Sequence, residues 1–268
     1  MMPSACGMYV SNEVSTGQEP SARHGWLDPL IQRVRPTWMI PILKYHRIGT
    51  PTGDHVPTGS PDAFAWHINF LHRTGRYVMD FSEMVDRLEL GAPLPRNGVV
   101  ITFDDGYVET ATVAAPLLQR FRFRATVFVA PAEMGTPGFM TWEQLRGIAD
   151  NGLSIGSHTL THAYLPLTSR EQMMQELRES KAVLEQELGR AIEWLSYPIG
   201  GFTPDIQRLA HSSGYRAACT TNRGIRRDVV DLFALRRIKI TERDCHPLVL
   251  QAKLSGYYNH FRRLKHPA

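Results

Sequence analysis

Two short segments carry the residue types that hydrolysis needs. Thr102-Phe103-Asp104-Asp105-Gly106 follows the apolar run 99–103. Adjacent carboxylates crowd like charges, and a bound cation relieves the conflict by keeping one of them ionised. Neighbouring side chains at a strand end point in different directions, so one Asp can ligate a metal while the other stands beside a bound water. Gly106 lets the backbone turn sharply there. Alone, Asp-Asp-Gly reads equally well as a turn or a helix N-cap. The second segment, His158-Thr159-Leu160-Thr161-His162, follows the run 153–156. Histidines four apart face one side of a helical turn, so both rings are expected to reach one ion. Asp105, His158 and His162 would then give two nitrogens and one oxygen and leave a position open for water, as catalytic zinc sites do.

Two weaker signals accompany them. Ser196-Tyr197-Pro198-Ile199-Gly200-Gly201 follows a short apolar run at Trp194 and by itself reads as a turn. Tyr45-His46 closes the run 40–44. A histidine at the same end of a barrel as the other segments could act on their ligand, although a structural histidine fits that feature as well.

The elements that would position these residues are legible as alternating runs. Strands are expected at 40–44, 77–79, 99–103, 125–130, 153–156, 193–197, 217–220 and 237–240. Several are continuously apolar, which suits strands buried on both faces of a parallel sheet. Helical patterns are expected at 62–74, 109–119, 142–150 and 169–188. The last carries Met173, Leu177, Leu184 and Leu188 on one stripe, a capping-box pattern at Thr168 to Glu171, and Gly189 at its end. Alternation at this spacing implies an α/β fold with a parallel sheet or barrel. Residues 1–36 lack periodicity and are expected to form a poorly ordered tail, with one domain over 37–268.

Composition excludes other classes. The 268 residues carry a formal net charge of +4. Their basic residues are scattered, with short clusters such as Arg226-Arg227, Arg236-Arg237 and Arg262-Arg263 read as solvated faces, so no nucleic-acid partner is expected. Cys6, Cys219 and Cys245 form no Cys-x-x-Cys pair, which argues against a disulfide framework or a thiolate zinc site. No stretch approaches the roughly 20 apolar residues of a membrane span, and no secretory signal is visible; the simplest expectation is a cytoplasmic protein.

Together the motifs resemble the polysaccharide deacetylases, the NodB-homology carbohydrate esterases. Thr102 to Gly106 matches that family's Thr-Phe-Asp-Asp-Gly, and His158 to His162 its His-(Ser/Thr)-x-x-His. Pro41-Ile42-Leu43-Lys44-Tyr45-His46 is similar to the exopolysaccharide-deacetylase branch, in which the catalytic histidine region is permuted to the front. The resemblance implies a distorted (β/α) barrel and one divalent ion, zinc first, held by Asp105, His158 and His162. It implies Asp104 as general base, and for the acid it points to His46, with His246 and then His55 as next candidates. The backbone N–H of Ile199 is the implied oxyanion donor. The implied reaction removes acetyl groups from N-acetylated amino sugars of a polysaccharide, oligosaccharide or lipid-linked glycan. Two departures stand out: the family's third motif, Arg-x-Pro-(Phe/Tyr)-Gly, has Ser196 and Ile199 at its Arg and aromatic positions, and the late Leu-x-His motif is missing. Hydrolysis of a small amide or cyclic imide, and a metal-free binding relative, are the competing readings. A long groove with exposed aromatics would favour the sugar enzyme, and a small closed pocket the imidase.

Overall fold

The computed structural model describes residues 31–32, 40–49, 56, 58–221, 230–256 and 258. Eight strands, β1 (Ile42–Tyr45), β2 (Tyr77–Val78), β3 (Gly98–Phe103), β4 (Thr126–Val129), β5 (Ser154–Ser157), β6 (Trp194–Ser196), β7 (Ala217–Thr220) and β8 (Leu235–Lys239), form one sheet. Its order is β1-β8-β7-β6-β5-β4-β3-β2, and β1 also pairs with β3. That extra pairing closes seven strands into an all-parallel barrel, with β2 flanking β3 on the outside. Every residue of β1, β3, β4 and β7 is buried. This is why these strands read as continuous apolar runs: one face packs inside the barrel and the other against helices.

All eight expected strands occur, each within about two residues of its expected bounds, which is the usual slack at element ends. The helices are α1 (Pro61–Arg73), α2 (Phe81–Glu89), α3 (Ala115–Arg120), α4 (Trp142–Asp150), α5 (Arg170–Leu188), α6 (Pro204–Ser212) and α7 (Pro247–Lys253). The segment expected as one helix over 109–119 is split. A wide π-type turn, Thr110–Ala114, precedes α3, and the Ala115 N–H bonds Thr110 O five residues back. Pro116, just inside α3, has no N–H to donate, so the regular ladder fails at this point. On α5 the cap is Ser169, whose hydroxyl accepts the Gln172 N–H at 3.2 Å. The reciprocal box belongs to α4, between Thr141 and Gln144. Gly189 ends α5 in the left-handed region, as its sequence position implied.

Of the expected tail 1–36 only Ile31 and Gln32 are described, and they pair antiparallel with Asp231 and Val230. Cys219 and Cys245 are free thiols, and Cys6 and His55 lie outside the described residues. No described helix is long and apolar enough to cross a membrane.

Candidate active site and metal centre

The carboxyl ends of β1, β3, β5 and β6 set four loops on one rim of the barrel, the end where such folds carry their chemistry. The β1–β3 register pairs Tyr45 with Phe103, so the next residues, His46 and Asp104, sit at the same height. The Asp104 N–H donates to Tyr45 O at 3.0 Å.

Asp105 Oδ1 lies 3.3 Å from His158 Nε2 and 3.4 Å from His162 Nε2. One ligand atom from each residue lies within 4.8 Å of the others. The tautomer of His158 is set by its other nitrogen, since Nδ1 lies 2.6 Å from the Ser196 carbonyl and must donate to it. Nε2 is the nitrogen left to face Asp105 Oδ1, and in the neutral ring it carries the lone pair. That oxygen, Asp105 Oδ1, is buried and has no hydrogen-bond partner among the described residues. Burial, then the neighbouring His158, lower the pKa of His162 and favour its neutral, ligating form. Lone pairs converging in this way fit a cation, and the carbonyl behind His158 is the usual support for a metal-bound imidazole.

The two histidines do not share a helical turn. They flank a loop in which Thr159 and His162 both take positive φ, 63° and 60°. The rings converge because the backbone bends back, with centroids 4.8 Å apart. Among the described residues five non-glycines have positive φ: Asp105, Thr159, His162 and Ile199 at this rim, and Arg122 elsewhere. Strained backbone gathered at one place is what functional sites tend to show.

Asp104 is buried beside this set and is gripped by Arg237 of β8. Arg237 Nη1 donates to Oδ1 at 2.6 Å and Nη2 to Oδ2 at 2.7 Å. Nη2 also donates to Ser196 Oγ at 2.7 Å, and Nη1 to Thr102 Oγ1 at 3.3 Å. Burial alone would raise the Asp104 carboxyl; Arg237, then His158 and Lys44, outweigh it and hold the group well below the usual carboxylate range. Lys44 Nζ and His46 Nε2 each lie 4.0 Å from Asp104 Oδ2. Burial lowers Lys44 to about 8 and His46 to about 4, in both cases against the pull of Asp104.

Ile199 follows β6 with φ 60° and an exposed side chain. Thr221 Oγ1 donates to its carbonyl at 2.7 Å, and Thr220 Oγ1 donates to Gly200 O at 2.7 Å. Gly200, at φ 88°, is tightly enclosed, since a Cβ there would lie 2.1 Å from Thr221 Oγ1. The loop is thus pinned from β7 although its family aromatic is absent. His246, the reserve acid, sits before α7 among Thr241, Leu248 and Lys253, in a separate surface groove.

Residues 91–218 match the family model described as polysaccharide deacetylase. Over those residues the chain is similar to the polysaccharide deacetylases. YxkH of Bacillus subtilis (strain 168), whose name places it among the polysaccharide deacetylases, is 29% identical over 202 residues, which are 75% of this chain and 71% of that protein. The poly-beta-1,6-N-acetyl-D-glucosamine N-deacetylase of Escherichia coli (strain K12) is 30% identical over 119 residues, 38% of this chain but 17% of that longer protein. Among solved structures, the Streptococcus pyogenes deacetylase PplD in complex with acetate superposes with a TM-score of 0.73 at 26% identity, over 80% of this chain and 97% of that one.

Two supports of the site were not read from the sequence. Arg237 belongs to a pair taken for surface charge, yet its side chain is fully buried. Glu176 of α5 is the other. Its Oε2 accepts the N–H groups of Leu160 and Thr161, both at 2.9 Å, and its Oε1 accepts Thr161 Oγ1 at 2.6 Å. It therefore ties down the backbone between the two histidines. A glutamate on a helix stripe flanked by Met173 and Leu177 was the available signal. Glu176→Ala leaves two backbone donors unpaired and is expected to cost about 1–3 kcal/mol of stability. For a divalent ion held by Asp105, His158 and His162, affinity is expected to fall by about 10- to 100-fold, the usual effect of removing an outer support. Thermal melts and zinc titration check both, and unchanged zinc affinity would show that the loop holds itself.

Proposed function

We propose that the domain hydrolyses the acetamide of N-acetylated amino sugars, within a polysaccharide, oligosaccharide or lipid-linked glycan, releasing acetate and a free amine. The observation that carries this reading is the convergence of Asp105 with His158 and His162 directly beside the Arg237-held Asp104. The names of the relatives, which speak of polysaccharide and poly-N-acetylglucosamine deacetylation, point to the same substrate class.

A divalent ion held by Asp105, His158 and His162, with zinc the first choice, would supply Lewis acidity, polarising the acetyl carbonyl and lowering the pKa of a nearby water. Asp104 takes the proton of the attacking water. The Ile199 N–H donates to the carbonyl oxygen as it gains charge. Arg237 keeps Asp104 ionised and fixed, at the price of making it a weak base. A proton captured on Asp104 is consequently more stable on His46, whose Nε2 faces Oδ2 at 4.0 Å. A small shift or one water closes that gap. His46 then delivers the proton to the nitrogen as the C–N bond breaks, so acetate and the amine leave in balance.

The test is acetate release from a panel of N-acetylated glycans, polymeric, oligomeric and lipid-linked, with small amides and cyclic imides beside them. Turnover of at least one glycan and none of the imides is expected. Imide turnover alone would overturn the reading.

A further inference from the structure

Behind His46 lies a small, partly enclosed cavity of about 10 Å³, lined by Tyr45, His46, Phe64, His67, Ile240 and Thr241 among others. That is the room one water centre needs, and water occupies such a space when two to four polar groups face it. Three lining residues bring buried polar atoms that have no hydrogen-bond partner among the described residues: Tyr45 Oη, His46 Nδ1 and His67 Nδ1. Native interiors rarely leave such groups unpaired, and three around one small cavity mark a shared ligand.

The roles of the three atoms can be worked out. His67 Nε2 lies 3.6 Å from Cys245 Sγ, and the Cys245 thiol is 3.8 Å from Ala63 O. With the thiol donating to that carbonyl, its sulfur accepts from His67 Nε2–H, which leaves His67 Nδ1 as an acceptor. Burial holds His67 down to about 4 and so keeps it neutral, and burial keeps the Tyr45 hydroxyl protonated and able to donate. The Tyr45 and His67 ring centroids are 6.0 Å apart. His46 Nε2 faces Asp104 on the opposite side of its ring.

We propose that this cavity is the site of one ordered water, which accepts from His46 Nδ1–H and Tyr45 Oη–H and donates to His67 Nδ1. Tyr45 and His67 are then positioning residues. They fix the His46 tautomer whose Nε2 lone pair points at Asp104, the form able to collect a proton there. The inference deepens the reading of His46 as proton carrier and rests on it for the kinetic consequence alone.

A high-resolution crystal structure of the whole protein, with ¹⁵N-histidine NMR, tests the site without any assay. A water about 2.7–3.2 Å from all three atoms, and a neutral His46 protonated on Nδ1, are expected. A cavity without density, or the opposite tautomer, overturns the proposal. For the consequence, Tyr45→Phe and His67→Leu are expected to lower kcat for acetate release from an N-acetylglucosamine oligomer by about 3- to 10-fold, at unchanged KM and metal content. His67→Asn, which returns an acceptor near the Nδ1 position, restores most of that rate. Variants that lose only thermal stability and keep kcat overturn the positioning role. His46→Ala separates the two claims: wild-type kcat there removes His46 from the reaction, while the water and the tautomer are decided by the density and the ¹⁵N shifts.

Discussion

Asp104→Asn is expected to retain its metal and to lose acetate-releasing activity by about 10²- to 10⁴-fold, the range for removal of a general base. Both Asp104 oxygens are turned to Arg237, and the set that fits a cation uses Asp105 instead. The substitution keeps the shape and removes the proton acceptor. It also leaves the Arg237 guanidinium buried without its counter-charge, so the variant is expected to melt below wild type, and activity should be measured well below its melting point. Elemental analysis beside the assay distinguishes the roles of the two carboxylates. Asp105→Asn is expected to lose the metal along with activity. Wild-type turnover in Asp104→Asn would take Asp104 out of the mechanism.

Arg237→Leu carries the second large effect. It leaves Asp104 in a buried site without its bidentate partner, and breaking a buried pair from one side typically costs about 3–5 kcal/mol. The sign of the pH dependence follows from the change at Asp104. In the wild type its carboxyl is depressed, so the stability it contributes is present above about pH 4, the ordinary aspartate range, and is lost as the pH falls toward the folded value. Without Arg237, burial dominates and raises the carboxyl. Stability is then lost as the pH rises from about 4 toward the raised value. The deficit of Arg237→Leu against wild type should accordingly be largest near pH 7 and shrink toward pH 4. Denaturant unfolding at pH 7, 5.5 and 4 measures it, and a deficit independent of pH would show that lost packing, including the contact of Arg237 with the Phe128 ring, is the whole effect. Arg237→Lys cannot grip both oxygens at once and should fall between the two.

The parallel strands were legible because several of them, buried on both faces, leave continuous apolar runs, whereas closure into a barrel came from the family resemblance. Three helices escaped that reading. In α2, Phe81, Met84, Val85 and Leu88 do form a buried stripe, but over two turns only. Before α6 and α7 the signals were local ones, Thr203 with Pro204 and His246 with Pro247. The metal-type set was found by spacing, yet for an incomplete reason: a helical turn was invoked where a loop with strained Thr159 and His162 brings the rings together. The missing third-motif arginine was noticed, but its replacement was not. Nothing local distinguishes Arg237 from its neighbour Arg236. Only closure of the barrel, which pairs β8 with β1 and β1 with β3, carries that guanidinium to Asp104 and turns Ser196 into its hydrogen-bond acceptor. The cavity behind His46 is equally a product of tertiary packing, since Tyr45, His67 and Cys245 come from three separate segments.

The central claim is that Asp105, His158 and His162 hold one catalytic cation beside Asp104. Elemental analysis of protein purified without chelator, with His158→Ala prepared in parallel, tests it most directly. About one divalent ion per wild-type chain, zinc foremost, is expected, with a large loss in His158→Ala, since a three-residue set loses one of its two nitrogen ligands. Equal metal content in the two proteins would contradict it.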